Sequence, residues 1–235
     1  MNPTTGIPGN FTKKAVAVIV AGGQGTRMGT ALPKQFLPLK GKPVLYYSVK
    51  AFAEAINGIK IVVVLPMEHI SYSNMVLQAF EERIDLTIVP GGSTRYESVQ
   101  NGLKEAVDSD VVFVHDGVRP LIDRELILEC YEHALTNGSA IPAITVSDSI
   151  RQLSGDGVHQ AIDRQYLRAV QTPQTFRTDI LLKAFGQPYQ EQFTDEATVV
   201  EASGTSVFLI EGRKKNIKIT TPEDLAVAES LMDQQ

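Results

Sequence analysis

The chain has 235 residues, 43% of them hydrophobic, and no low-complexity or Pro/Ser-rich stretch divides it, so one substantial core is expected and a disordered chain is excluded. A net charge of −5 excludes a nucleic-acid binder that works through a broad basic surface, so cations that matter must be local. Cys130 is alone, which excludes a disulfide framework and a thiolate metal site, and no apolar run approaches the ~18 residues that span a bilayer; both suit a reducing cytoplasm.

Residues 1–12, MNPTTGIPGNFT, are polar and contain glycine and proline; they are expected to form a disordered tail ahead of a single domain at 13–235. AVAVIV at 15–20 is a continuous apolar run of the kind that fills a strand buried on both faces. It leads into Ala21-Gly22-Gly23-Gln24-Gly25-Thr26-Arg27-Met28, with Pro33-Lys34 beyond. Glycines at 22, 23 and 25 remove Cβ atoms where backbone N–H groups must approach an anion, and they permit positive φ as the chain turns. Arg27 and Lys34 add full charges suited to a phosphorus centre that gathers negative charge during displacement. A P-loop would close on Gly-Lys-Ser/Thr, and none follows. A dinucleotide fingerprint would want glycine at Met28 and an acid ending the second strand, which instead ends in Leu65-Pro66. A plain tight turn with surface cations explains the glycines but not the whole string.

Further apolar runs follow at 59–65, 85–89, 110–115 and 139–146, with helices predicted over 43–54, 69–82, 94–107, 123–136, 178–185, 194–203 and 222–232. This alternation predicts an α/β fold with a mostly parallel sheet covered on both faces. Ligands of such sheets bind beyond the carboxyl ends of the strands, which directs attention to two more loops, Pro90–Arg95 and His115–Pro120. Asp116 could bind ribose hydroxyls, a divalent cation or substrate hydroxyls while Arg119 faces a phosphate; equally, the two could be an ion pair fixing the turn.

Residues 145–164 break the pattern, with two short polar runs flanking Ser154-Gly155-Asp156-Gly157, strong hairpin punctuation. A hairpin without a core partner exposes edges that another chain can cover, so a dimerisation arm is expected; the plainer alternative is a solvated surface hairpin. Asp163-Arg164 and Gln171–Phe176 read as a recognition segment leaving that arm, with Arg164 suited to phosphate. Thr194-Asp195-Glu196-Ala197 fits a helix N-cap, an end that also receives anions. Asn216–Thr220 reads as a late strand with Lys218 opposite the isoleucines. His69, His115, His133 and His159 are scattered, and none is assigned a catalytic role.

In their order, AGGQGTRM with PKQFLPL, GGSTRYESV, HDGVRP, the IDR before QTPQTF, FTDEA and EGRKKNIKITTPEDLAVAE resemble the 2-C-methyl-D-erythritol 4-phosphate cytidylyltransferase family of nucleotidyltransferases, from about residue 14 to 232. The resemblance implies a Rossmann-like sheet with a protruding hairpin arm, a homodimer, and transfer of CMP from CTP to the polyol phosphate with release of pyrophosphate. It implies Arg27, Lys34, Arg164 and Lys218 as the catalytic set. Arg27 and Lys34 would stabilise charge at the α-phosphate, and Arg164, from the partner subunit's arm, would orient the attacking phosphate. Ala21, Gly22, Gly23, Gly25, Gly92 and Ser98 would hold CTP. Asp116, Arg119, Ser149, Thr172 and Thr194, with Lys218, would line the methylerythritol phosphate site. Mg2+ would be held mainly by the CTP phosphates, with no direct protein ligand indicated. Ser149 stands where the family has threonine, and Gly117-Val118 where alanines are usual. Ribitol 5-phosphate cytidylyltransferase is the alternative enzyme. A nucleotide-binding regulator without catalysis is the alternative of another class, disfavoured by the presence of both Arg27 and Lys34.

Overall fold

The computed structural model describes residues 13–23 and 32–234. The first apolar run is strand β1 (Ala15–Val20), buried along its whole length. The short strands β2 (Pro38–Leu39) and β3 (Lys42–Pro43) form a small hairpin ahead of helix α1 (Val44–Ala55). Strand β4 (Lys60–Leu65), a 3-10 turn at Met67–Tyr72, helix α2 (Ser73–Leu77), strand β5 (Leu86–Pro90), helix α3 (Arg95–Leu103) and strand β6 (Val111–Asp116) follow. Next come helix α4 (Arg124–Asn137), strand β7 (Ser139–Thr145), and the arm strands β8 (Ile150–Leu153) and β9 (His159–Ile162). The chain continues through β10 (Arg168–Val170), β11 (Gln174–Arg177), helices α5 (Thr178–Ala184) and α6 (Glu196–Ala202), strand β12 (Leu209–Glu211) and helix α7 (Pro222–Met232).

The main sheet runs β10-β7-β11-β6-β1-β4-β5, with β12 on β7. Its core of β6, β1, β4 and β5 is parallel, while β11 runs antiparallel to both β6 and β7. The period-2 geometry of a strand divides β1 between two cores. Ala15, Ala17 and Ile19 face α1 and α4 with Phe52, Phe113 and Leu126, whereas Val16, Val18 and Val20 face α3 and α5 with Val99, Phe176 and Leu181. Helix α3 lies so close that a Cβ on Gly102 would meet Val18 Cγ1 at 2.5 Å, which leaves glycine as the residue that fits. A third cluster of Leu39, Val44, Val118, Leu121, Ile219 and Ala228 packs α7 and the segment before it against the β6 loop.

Several expectations change. Asn216–Thr220 is not a strand: Ile217 N–H bonds the Lys215 carbonyl in a tight turn, and Ile219 N–H reaches the Val118 carbonyl, so the segment straps the β6 loop instead of joining the sheet. The late strand is β12, a few residues earlier. The helix expected over 69–82 is a 3-10 turn and one short α segment, with the weak helix formers Ser71, Ser73 and Asn74 in its middle. Strands β10 and β11 were not read from the sequence. The hairpin expected around Ser154–Gly157 is present as a separate two-stranded sheet of β8 and β9. The tail at 1–12 lies outside the described residues.

Candidate active site

Strand register gathers three loops at one end of the parallel core. Val20 lies beside both Val64 and Asp116, and Leu65 beside Pro90, so the glycine loop, the Pro90–Arg95 loop and the Asp116 turn open together. They bound a cleft of about 370 Å³ lined by Ala21, Gly22, Gly23, Lys34, Gly92, Ser98, Asp116 and Lys218 among others. Gly25 and Arg27, two further expected site residues, lie outside the described residues.

Ala21 is pinned on both sides: its N–H donates to the Val64 carbonyl (3.0 Å) and its carbonyl accepts from Gln35 Nε2 (2.8 Å). Neither Gly22 nor Gly23 adopts the positive φ expected of them. What they contribute is space: among the described residues, a Cβ on Gly22 would meet nothing within 4 Å, and one on Gly23 would meet Lys34 Cε at 3.5 Å. The loop backbone therefore stays open toward the cleft, as a phosphate cradle requires. Lys34 sits on a 3-10 turn, 8% exposed, and its Nζ donates to the carbonyl of Ile219 (3.1 Å), 185 positions away.

The second loop is held as firmly. A Cβ on Gly92 would meet Glu97 Cβ at 2.3 Å, which demands glycine there. Ser98 Oγ accepts from Gly92 N–H (3.1 Å) and donates to the Thr94 carbonyl (2.9 Å), so its hydroxyl shapes the loop from within. Thr94 caps α3 in a capping box with Glu97.

Asp116, 8% exposed, is the hub. Lys218 Nζ lies 2.9 Å from its Oδ2, Arg119 Nε 3.7 Å from the same oxygen, and Arg95 Nη2 3.4 Å from Oδ1. Burial alone would raise its pKa, yet the three cations, Arg95 foremost, hold the carboxyl well below the usual carboxylate range. Arg95 is itself gripped in bidentate fashion by buried Glu196, through Nη1 to Oε1 and Nη2 to Oε2 at 3.1 Å. Burial would lower the Arg95 pKa, but Glu196 and Asp116 outweigh it and raise it. Burial lowers the pKa of Arg119, whose Nη1 donates to the Asn216 carbonyl (2.8 Å). Asn216 Nδ2 in turn donates to the Thr172 carbonyl (2.9 Å), tying the strap that carries Lys218 to β11's approach.

Arg95 and Glu196 were not among the expected site residues. Arg95 follows directly on the glycine-containing loop, which is a usable signal. Glu196 gave none, because an acid in a helix's first turn reads as a partner for the dipole.

Thr172 is buried behind Asp116, its Oγ1 accepting from the Asp116 N–H (3.0 Å). Thr194 is exposed, and the cap of α6 is the next residue, Asp195, whose side chain accepts from Thr198 N–H. Ser149 is exposed where the arm begins, and Arg164 lies on an exposed turn at the arm's end with its guanidinium donating to the Ser147 carbonyl. Neither these three nor Thr172 and Arg119 line the cleft. Among the described residues, no group of three or more His, Cys, Asp or Glu is placed to hold a metal. Among the described residues Asp116 is the acid that lines the cleft, and three cations already meet its charge, so it does not fit the role of resident Mg2+ ligand.

The arrangement, a backbone cradle flanked by lysines and an ionised hydroxyl acceptor, can stabilise phosphoryl displacement and hold a polyol. Comparison with known proteins agrees. A family model described as IspD, 2-C-methyl-D-erythritol 4-phosphate cytidylyltransferase, matches residues 15–234. The 2-C-methyl-D-erythritol 4-phosphate cytidylyltransferase of Phocaeicola vulgatus is 44% identical over 92% of this chain and 98% of its own length. The solved 4-diphosphocytidyl-2C-methyl-D-erythritol synthase of Anaerococcus prevotii superposes with a TM-score of 0.79 at 26% identity, covering 94% of this chain and 99% of that one. The Thermus thermophilus cytidylyltransferase does so with a TM-score of 0.71 at 30% identity, with the same coverage of both chains. No described helix is long and apolar enough to cross a membrane. By motif order, by fold and by these likenesses, the chain belongs to the 2-C-methyl-D-erythritol 4-phosphate cytidylyltransferase family, the CTP-dependent nucleotidyltransferases of isoprenoid precursor synthesis.

Proposed function

We propose that the family reaction runs in this chain as an in-line attack by a phosphate oxygen of methylerythritol phosphate on the α-phosphorus of CTP, with pyrophosphate leaving. A phosphate monoester anion is already nucleophilic, so the work is positioning and charge neutralisation, with no general base. The supporting observation is the convergence of Lys34, Asp116 and Lys218 on one cleft beside the Ala21–Gly23 backbone. Lys34, and Arg27 by resemblance, take the charge that grows on the α-phosphate. Asp116, held ionised, accepts hydrogen bonds from polyol hydroxyls, and Arg119 and Lys218 set its orientation. Gly92 and Ser98 shape the nucleotide side. Mg2+, if bound, would be held mainly by the triphosphate oxygens with no described residue as its ligand, and would supply charge neutralisation.

The arm supports a homodimer. Leu153 is 73% exposed on the β8–β9 hairpin, whose strands pair only with each other among the described residues, and Tyr166, on the turn that follows, is 81% exposed, the sort of surface a second chain covers. Arg164 would then serve the neighbouring subunit's cleft, with Ser149 and Thr194 completing the polyol side. The free, buried thiol of Cys130 suits a cytoplasmic enzyme. The test is CTP-dependent pyrophosphate release with methylerythritol phosphate and ribitol 5-phosphate offered at equal concentration. Methylerythritol product should dominate; preference for ribitol phosphate overturns the substrate assignment.

A further inference from the structure

Three cations of the site are referenced to one short segment of chain, the strap over residues 213–219. Lys34 Nζ donates to the Ile219 carbonyl (3.1 Å), Arg119 Nη1 donates to the Asn216 carbonyl (2.8 Å), and Lys218, between these two positions, reaches Asp116 Oδ2 at 2.9 Å. A carbonyl is a neutral acceptor, so such a bond orients a cationic head without cancelling its charge. The backbone of Arg119 is held separately, by buried His115, whose Nε2 lies 3.2 Å from its carbonyl.

The strap lies outside the sheet and is tied down by two buried amide side chains. Gln171 grips Arg213 as a strand neighbour would, its Oε1 accepting from the Arg213 N–H (3.1 Å) and its Nε2 donating to the Arg213 carbonyl (2.9 Å). Asn216, 0% exposed, donates from Nδ2 to the Thr172 carbonyl (2.9 Å). Its Oδ1 finds no partner among the described residues, and an unpaired buried acceptor costs stability. An apolar side chain of that size would pack as well; the amide contributes its donor, and with it the placement of the strap. We propose that Asn216 is a positioning residue for both substrates, setting Lys34 toward the triphosphate and Arg119 and Lys218 toward the polyol phosphate. This rests on the assignment of those cations to the two substrates. The glycine loop and the Gly92 loop hang on other anchors, Gln35 and Ser98, so the ground-state grip on CTP is independent of the strap.

The experiment is steady-state kinetics on Asn216→Leu, which keeps about the same volume and loses the donor, and on Gln171→Met, which releases the strap's other tie. Asn216→Leu should raise the KM for methylerythritol phosphate ~10-fold and lower kcat ~10-fold, with the CTP KM within about twofold. Loss of a purely structural anchor leaves less folded enzyme, so that apparent kcat falls and neither KM moves; that result, or equal rises in both KM values, overturns the proposal. Gln171→Met should shift the same two parameters, and the double variant should be little worse than Asn216→Leu alone; losses that multiply in full overturn the strap as one unit. Hydrogen exchange in the unmutated, substrate-free enzyme gives a readout that needs no variant to fold. The Ile219 N–H, bonded to the Val118 carbonyl at 2.9 Å, should exchange at least ~100-fold more slowly than an open amide. Exchange at the open-amide rate until CTP is added would mean that the strap forms around its ligand, and overturns the proposal. Lys218→Ala separates the two levels. If it leaves the methylerythritol phosphate KM unchanged, the site assignment has failed and the proposal with it, whereas a raised KM beside a neutral Asn216→Leu sinks the proposal alone.

Discussion

Lys34 and Arg164 carry the same charge and were given the same catalytic standing from sequence, yet they occupy opposite settings. Lys34 is 8% exposed on a turn fixed to the sheet and donates to a carbonyl of the strap. Arg164 stands on an exposed turn at the foot of the arm, and its guanidinium reaches the Ser147 carbonyl on the same arm. The cleft residue has its geometry imposed by elements from both ends of the chain, while the arm residue has local partners. Preorganised charge is what stabilises a transition state, a condition that Lys34 meets as folded and that Arg164 would meet only against another surface, as the proposed dimer would provide.

The largest expected effect tests the preorganised side. Lys34→Ala should lower turnover by ~10²-fold or more, the scale for deleting one fixed charge donor, while CTP affinity changes far less. Single-turnover kinetics beside nucleotide titration measure both; unchanged turnover would remove the distinction between cleft and arm.

Acid should reach the cleft through its buried histidine. Because the folded pKa of His115, about 4, lies below its unfolded value, the native state refuses a proton that the unfolded chain accepts. Its contribution to stability is complete above ~6.5 and is lost as pH falls toward 4, by about 3 kcal/mol in all. Asp116 and Arg119 face it; the Asp116 carboxyl, held low, loses its own contribution only below the ordinary carboxylate pKa. Denaturant melts across this window should show the loss, and His115→Phe should abolish that slope.

Complementation probes the arm. Mixed with exchange of subunits, Arg164→Ala and Lys34→Ala chains should recover about a quarter of unmutated activity, since half the dimers are mixed and each holds one intact site. Silence from a demonstrably exchanged dimer would return Arg164 to its own subunit's cleft. A smaller effect is expected at the tip: Leu153→Asp should weaken self-association ~10-fold in sedimentation while costing under ~0.5 kcal/mol of stability. If it instead destabilises the fold, the arm is packed rather than waiting.

The legible parts of the fold were those with long-range consequences written locally. AVAVIV, IKIVVVL and DVVFVH are continuous apolar runs, and buried parallel strands need little else. Strand β10 is only the three residues Arg168–Val170, and β11 is four residues, mostly polar, that start directly after Pro173; neither carries a run of its own, and their pairing depends on β7 lying alongside. The I-K-I alternation of the strap carries a strand's period without a strand's partner. In the site, attention to loops after strands pointed to the glycine loop, Pro90–Arg95 and Asp116, which fold to one cleft together with Lys34 and Lys218. The Arg95–Glu196 pair joins positions 101 apart, and a lone histidine at a strand end has no spacing signal, so neither brace was visible before folding.

The ion cluster around the cleft bears on how fast a substrate arrives. The chain is acidic overall at −5, yet among the described residues three cations, Arg95, Arg119 and Lys218, surround the two carboxylates Asp116 and Glu196, and Lys34 lines the same cleft. A local positive potential inside a negative protein repels polyanions from most of the surface and draws them to one opening. Nucleotide capture should accordingly slow as salt is raised, most steeply once the Debye length shrinks below ~10 Å, even where the affinity of the bound state is little changed.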